Sequence, residues 1–123
     1  MFRRVACAIL LAGALHAPPA MAGLYITGND LYADCSVPKE NPVYYSRTER
    51  CTGYITGVVD ATEGTRQLQG RPFCVPDNIT LGQITEVVLN YLQTHGDTRG
   101  LNASALVIAA LAENWHCEGL VTG

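Results

Sequence analysis

The chain has 123 residues, 48% of them hydrophobic, with 8 Lys and Arg against 11 Asp and Glu and a formal charge of −3. That is enough for one domain with a modest core, and it lacks the basic excess that nucleic-acid binding draws on. No apolar run approaches the roughly 20 residues that cross a bilayer as a helix.

The N-terminus reads as an export signal. Arg3 and Arg4 form a short positive segment, Val5 to Leu15 an apolar run, and Ala20-Met21-Ala22 a small-x-small cleavage site. The apolar run is too short for a membrane span, and Pro19 would end it. Nothing around the arginine pair supports twin-arginine transport. After Leu11-Ala12-Gly13, Ala14 stands where a lipidated cysteine would have to be. The expectation is a cleaved leader, residues 1–22, and an unlipidated, soluble mature domain over 23–123. Cleavage leaves 101 residues and moves the charge to about −5, because Arg3 and Arg4 are lost.

Cys7 lies inside the leader, so four cysteines remain: Cys35, Cys51, Cys74 and Cys117. An even count in a small exported domain reads as two disulfides. No pair has the close spacing of a structural zinc knuckle. Three pairings are possible.

The predicted elements are helical, in the order first, second, third and fourth. Thr27-Gly28-Asn29-Asp30, Ser46-Arg47-Thr48-Glu49 and Thr80-Leu81-Gly82-Gln83 each set a hydroxyl three residues before an acid or amide, the capping-box arrangement. Asn102 is a simpler N-cap for a fourth helix. The first helix runs from Asn29 to about Cys35. A proline-punctuated connection, Val37-Pro38 to Asn41-Pro42, follows it. On the second helix Cys51, Tyr54, Ile55, Val58, Val59 and Thr62 share one face. Gly53 and Gly57 sit one turn apart there, which suggests another element packed close to the backbone. A polar loop from Glu63-Gly64 to Arg71-Pro72 is expected next, then an extended lead, Phe73 to Pro76. The third helix presents Ile84, Val87, Val88, Tyr91 and Leu92. A turn from His95 to Gly100 leads to Ala103–Ala112, apolar almost throughout, as a central buried helix would be. The fold class is all-α, a small four-helix domain. This layout favours Cys35–Cys51 and Cys74–Cys117, since each pair then clamps helix ends. By loop entropy the two closures contribute roughly 3 and 4 kcal/mol.

Catalytic patterns are missing. The mature chain has two histidines, His95 in a turn and His116 beside Cys117, and no nucleophile elbow, zinc-protease motif or phosphate loop. Asp30 and Asp34 lie at helical spacing, but a solvated helix face is the simpler reading of them. Asn78-Ile79-Thr80 and Asn102-Ala103-Ser104 match the glycosylation pattern, yet both sit at helix starts. No cofactor or metal is implied. Two places stand out as contact surfaces: Tyr44-Tyr45 before the second helix, equally readable as a hydrophobic staple, and the polar loop with Arg66 and Arg71.

The order of these features resembles the Rap/Tai immunity proteins of bacterial type VI secretion. The resemblance is carried by Thr27-Gly-Asn-Asp-Leu31, by Cys51-Thr-Gly-Tyr-Ile-Thr-Gly-Val-Val-Asp60, by Phe73-Cys-Val-Pro76, by Thr80-Leu-Gly-Gln83 and by Leu106 to Cys117. It covers nearly all of the mature chain. It implies a periplasmic helical protein, often a homodimer. Such a protein binds a cognate toxin, a peptidoglycan amidase, and blocks its active site. The motifs that match are structural, so the toxin-contacting residues stay unassigned. Two other readings fit a small exported helical protein. One is an envelope protein of the same fold in an assembly role, and the other is an acid-stress chaperone of the HdeA-like kind. Capture of many unfolded clients at low pH would mark the chaperone.

Overall fold

The computed structural model describes residues 25–117, and within α2 the side chains of 64–69 lie outside that description. The expected leader, residues 1–22, also lies outside it. Four helices follow in order: α1 Gly28–Cys35, α2 Tyr44–Gln69, α3 Leu81–Thr94 and α4 Ala103–Asn114. The all-α, four-helix expectation holds among the described residues, where the sole extended pairing is an isolated bridge between Thr27 and Asn102.

Three of the four helix starts are set by the residues expected. Thr27 and Asp30 close a reciprocal capping box on α1, and Thr80 and Gln83 do the same on α3. Each box satisfies two backbone N–H groups that a helix end would otherwise leave bare. Asn102 caps α4 by accepting from the Ser104 N–H at 2.9 Å. The start of α2 departs from expectation. Its helical bonding begins with the Arg47 N–H donating to the Val43 carbonyl, so Ser46 lies inside the first turn and its hydroxyl donates to Val43. The Asn41 side chain accepts from the Val43 N–H instead. Asn41-Pro42 therefore makes the turn before Ser46 is reached, because proline pre-sets the backbone at a helix entrance.

The end of α2 is a second correction. The helix does not stop at Glu63-Gly64 but runs to Gln69, so Arg66 belongs to a helix and not to a loop. One glycine inside a helix costs about 1 kcal/mol, and Glu63, Arg66, Gln67 and Leu68 are good helix formers that outweigh it. The stop comes at Gly70, whose φ of 80° is the left-handed conformation that ends helices.

The core is assembled from the predicted faces. Leu31 of α1, Cys51 and Ile55 of α2, Ile84, Val88 and Leu92 of α3, and Ala103, Leu106, Val107, Ala110 and Leu111 of α4 are buried together. Phe73, in the extended lead to α3, joins them at 1% exposure, which for a phenylalanine contributes about 2–3 kcal/mol. Tyr54, Val58, Val59, Val87 and Tyr91 pack at the rim of that cluster.

Both disulfides pair as the helix layout favours. Cys35–Cys51 joins the end of α1 to the early turns of α2, and Cys74–Cys117 joins the lead of α3 to the segment after α4. The Cys74 N–H also donates to the Trp115 carbonyl at 2.7 Å, so the start of α3 and the end of α4 lie side by side. Arg99 in the α3–α4 turn lies over the Tyr32 ring at 4.2 Å. Its carbonyl accepts from the Asn29 N–H at 2.8 Å, tying that turn to the start of α1.

Candidate docking surface

The expected solvated pair of carboxylates divides into two different roles. Asp30 is exposed and completes the Thr27 capping box, accepting from the Thr27 N–H at 2.9 Å and from its hydroxyl at 2.7 Å. These bonds from the Thr27 backbone and side chain hold its pKa below the usual 3.8. Asp34 is a correction: it is 5% exposed, not solvated. Arg47 meets it at 2.6 Å and Arg50 at 3.3 Å, both reaching across from α2. A buried carboxylate needs such partners, because ionised groups leave water only when paired. The ion cluster sits beside the Cys35–Cys51 bridge, so covalent and ionic ties fix α1 on the same end of α2. Spacing alone could not show this, since Arg47 lies 13 residues along the chain.

Tyr44 and Tyr45 open α2 rather than preceding it. Their rings meet edge to face, with centroids 5.4 Å apart. Tyr45 is 79% exposed and Val43 beside it 46%, so this corner presents an apolar knob to solvent. Arg71 lies just past Gly70 at the other end of α2 and is exposed. Its carbonyl lies 3.8 Å from the Cys117 sulfur, so the Cys74–Cys117 bridge fixes its place. The 26 residues of α2 extend about 39 Å at ~1.5 Å per residue. The structure therefore does not bring Tyr44, Tyr45 and Arg71 together within one chain, and Arg66 falls in the stretch whose side chains are not described.

Between those ends lies a surface that motif reading missed. Gly53, Gly57 and Ala61 follow one another at four-residue intervals along α2. With Tyr54, Val58 and Thr62 of the adjacent row, and Ser104 and Ile108 of α4, they line an open, mainly apolar groove of about 560 Å³. At Gly53 and Tyr54 it runs on into a second depression of about 310 Å³ that reaches Ile26, Leu31 and the charged groups Asp34, Glu49 and Arg50. Close packing against the two glycines is the expectation, and among the described residues it is not met. A methyl group built on Gly53 or Gly57 meets nothing within 4 Å. The close approach occurs instead at Gly28, where such a methyl would lie 2.3 Å from Leu106 Cδ1 and 2.8 Å from the Arg99 carbonyl oxygen. The spacing of the α2 glycines was the available signal, but it does not say on which side of the helix the neighbour lies.

His95 caps α3 and stacks on Tyr91 with ring centroids 3.8 Å apart. His116 is exposed next to the bonded Cys117. Among the described residues no three His, Cys, Asp or Glu side chains gather as a metal would need. No helix among them is long and apolar enough to cross a membrane. The arrangement can supply a rigid contact surface made of one long helix, an open apolar groove and an aromatic corner.

Residues 27–117 match the family model of the Rap1a immunity proteins. Comparison with curated proteins gives no match.

Proposed function

The chain belongs to the Rap1a immunity proteins, and from that membership we propose that it protects its producer by binding a peptidoglycan amidase delivered by type VI secretion and covering the amidase's active site. The family match over residues 27–117 is the observation that carries this reading. It implies a cognate toxin as partner. We extend it to an amidase as target, a periplasmic location, a homodimeric state and a role in which the chain itself catalyses nothing. What supports the extension is the character of the molecule. One disulfide and the Asp34 ion cluster hold α1 against α2, the other disulfide ties the lead of α3 to the segment after α4, and disulfides persist in oxidising compartments such as the periplasm. A surface fixed in this way loses little entropy on docking, which favours tight inhibition by shape alone.

The test is a neutral-pH pull-down of tagged mature protein from the producer's secreted and periplasmic fractions. The expected result is one stoichiometric partner that cleaves peptidoglycan when free and is silent in the complex. Recovery of a partner that keeps full hydrolase activity while bound would rule out occlusion. Capture of many unfolded proteins only after acidification would point to a chaperone instead.

A further inference from the structure

Closing a cleft by shape takes a part that stands out from the body, and the groove along α2 and α4 is concave. The connection between α1 and α2 does stand out. Pro38 to Val43 are all exposed, the longest such run among the described residues. It ends in two exposed apolar side chains close together, Val43 and Tyr45. The other exposed large apolar residues, Tyr25, Leu81 and Leu101, are single positions far apart in the chain, which is ordinary on a protein surface.

This connection is exposed without being loose. The Asn41 N–H donates to the Pro38 carbonyl at 3.0 Å, and the Asn41 carbonyl accepts from the Tyr44 N–H at 2.9 Å. The Asn41 side chain accepts from the Val43 N–H at 3.0 Å. Pro38 and Pro42 each fix a backbone angle. At the base, Cys35–Cys51 closes the segment over a separation of 16 residues, and Arg47 holds Asp34 of α1 at 2.6 Å. The Tyr44 ring braces the Tyr45 ring edge to face, so the exposed aromatic group is itself held in place.

We propose that this corner, Pro38 to Tyr45, is the plug that enters the catalytic cleft of the cognate amidase, with Val43 and Tyr45 as its anchors. The proposal rests on the immunity reading and names the part of the chain that carries it out. The build of the corner fits a cleft that cuts amide bonds. A backbone offered to such an enzyme must not become its substrate. Here the turn's N–H and C=O groups are engaged with one another, and the prolines keep the chain from adjusting to the cleft's own geometry. If one bond were cut, Cys35–Cys51 would hold both ends together, so that rejoining is intramolecular. The anchors suit the task as well. Tyrosine brings a large contact area with only two torsions to freeze, and buried aromatic anchors carry much of the energy of an interface. Because the corner is already rigid, docking costs it little further entropy.

The test uses mature wild type, Tyr45→Ala and Leu81→Ala, the last an exposed apolar residue on another helix. Each is titrated into the amidase recovered by the pull-down, with peptidoglycan cleavage as the readout. Tyr45→Ala should keep the circular dichroism and urea midpoint of wild type, because the side chain is 79% exposed. It should raise the inhibition constant at least about thirtyfold, the effect of losing one interface hot spot. Leu81→Ala should inhibit as wild type does. Benzoylphenylalanine placed at Tyr45 should crosslink to the toxin peptides that line its catalytic cleft. A folded Tyr45→Ala that inhibits as well as wild type would overturn the plug. Crosslinks to toxin surface outside the cleft, or only to a second copy of this chain, would overturn it too. Each of these results leaves inhibition by wild type intact, and so leaves the functional reading standing. A wild type that silences no amidase would sink that reading, and the plug with it.

Discussion

Substituting the helical glycines with alanine should have opposite effects at positions that look alike in the sequence. In α2, a methyl group at Gly53 or Gly57 enters open space, so the substitution adds helix propensity and removes nothing. The gain is about 0.8–1 kcal/mol per site. For a domain of this size, 1 kcal/mol moves the midpoint of thermal unfolding by about 4–8 °C. At Gly28 the same methyl lies 2.3 Å from Leu106 Cδ1 and 2.8 Å from the Arg99 carbonyl oxygen. Leu106 is 3% exposed, so it has little room to retreat. The Arg99 carbonyl is held by the Asn29 N–H, and the Gly28 N–H itself donates to Leu101 at 2.9 Å. Overpacking of this kind costs about 1–3 kcal/mol. The assay is thermal and urea unfolding of the three single variants, at concentrations low enough for the protein to be monomeric. Gly53→Ala and Gly57→Ala should unfold later than wild type, and Gly28→Ala earlier. Destabilisation at either α2 site in the dilute monomer, or a Gly28→Ala as stable as wild type, would refute the reasoning.

Further outcomes follow from the ionic and covalent ties. Removing the buried carboxylate in Asp34→Ala leaves Arg47 and Arg50 side chains that are already 41% and 63% exposed. They rehydrate, so the cost should be about 1–2 kcal/mol in urea unfolding and not the 3–5 of a fully buried pair; a loss above that range would show that the arginines are trapped. Asp30 has a folded pKa below its unfolded one. Its contribution is therefore complete above the ordinary carboxylate range and fades as pH falls through the lowered value. Asp30→Asn should accordingly flatten the acid side of the stability–pH curve, and an unchanged slope would mean that the Thr27 box contributes nothing through ionisation. Replacing Cys74 and Cys117 together by serine opens a loop closed over a separation of 43 residues and should cost about 2–5 kcal/mol. Peptide mapping under non-reducing conditions should meanwhile recover Cys35 still joined to Cys51, and a scrambled pairing would count against this account of the fold.

Local chemistry was legible in the sequence, and of the through-space relations only the disulfide pairing was. The Thr27, Thr80 and Asn102 caps were readable because a cap is a contact between residues two or three apart. The disulfide pairing was readable once the helix order set which ends meet. Ser46 misled because Asn41-Pro42, a few residues earlier, already supplies the turn and the acceptor. The length of α2 was hidden by Gly64, since a single glycine lowers helix stability without forbidding it. Asp34 reads as a solvated group in the sequence because its partners, Arg47 and Arg50, stand on another helix. Gly53 and Gly57 advertised a close neighbour, but periodicity gives a face and not the body that covers it. The surface residues Tyr44, Tyr45 and Arg71 could be named from composition, and their separation by the length of α2 emerged with the helix itself.

The central claim is inhibition by occlusion, and the direct measurement is a titration. Mature protein is added in steps to the amidase partner recovered from the secreted fraction, and peptidoglycan cleavage is followed at neutral pH. The account predicts activity falling linearly to zero at one copy of this chain per toxin. A saturated complex that still cleaves peptidoglycan would contradict it.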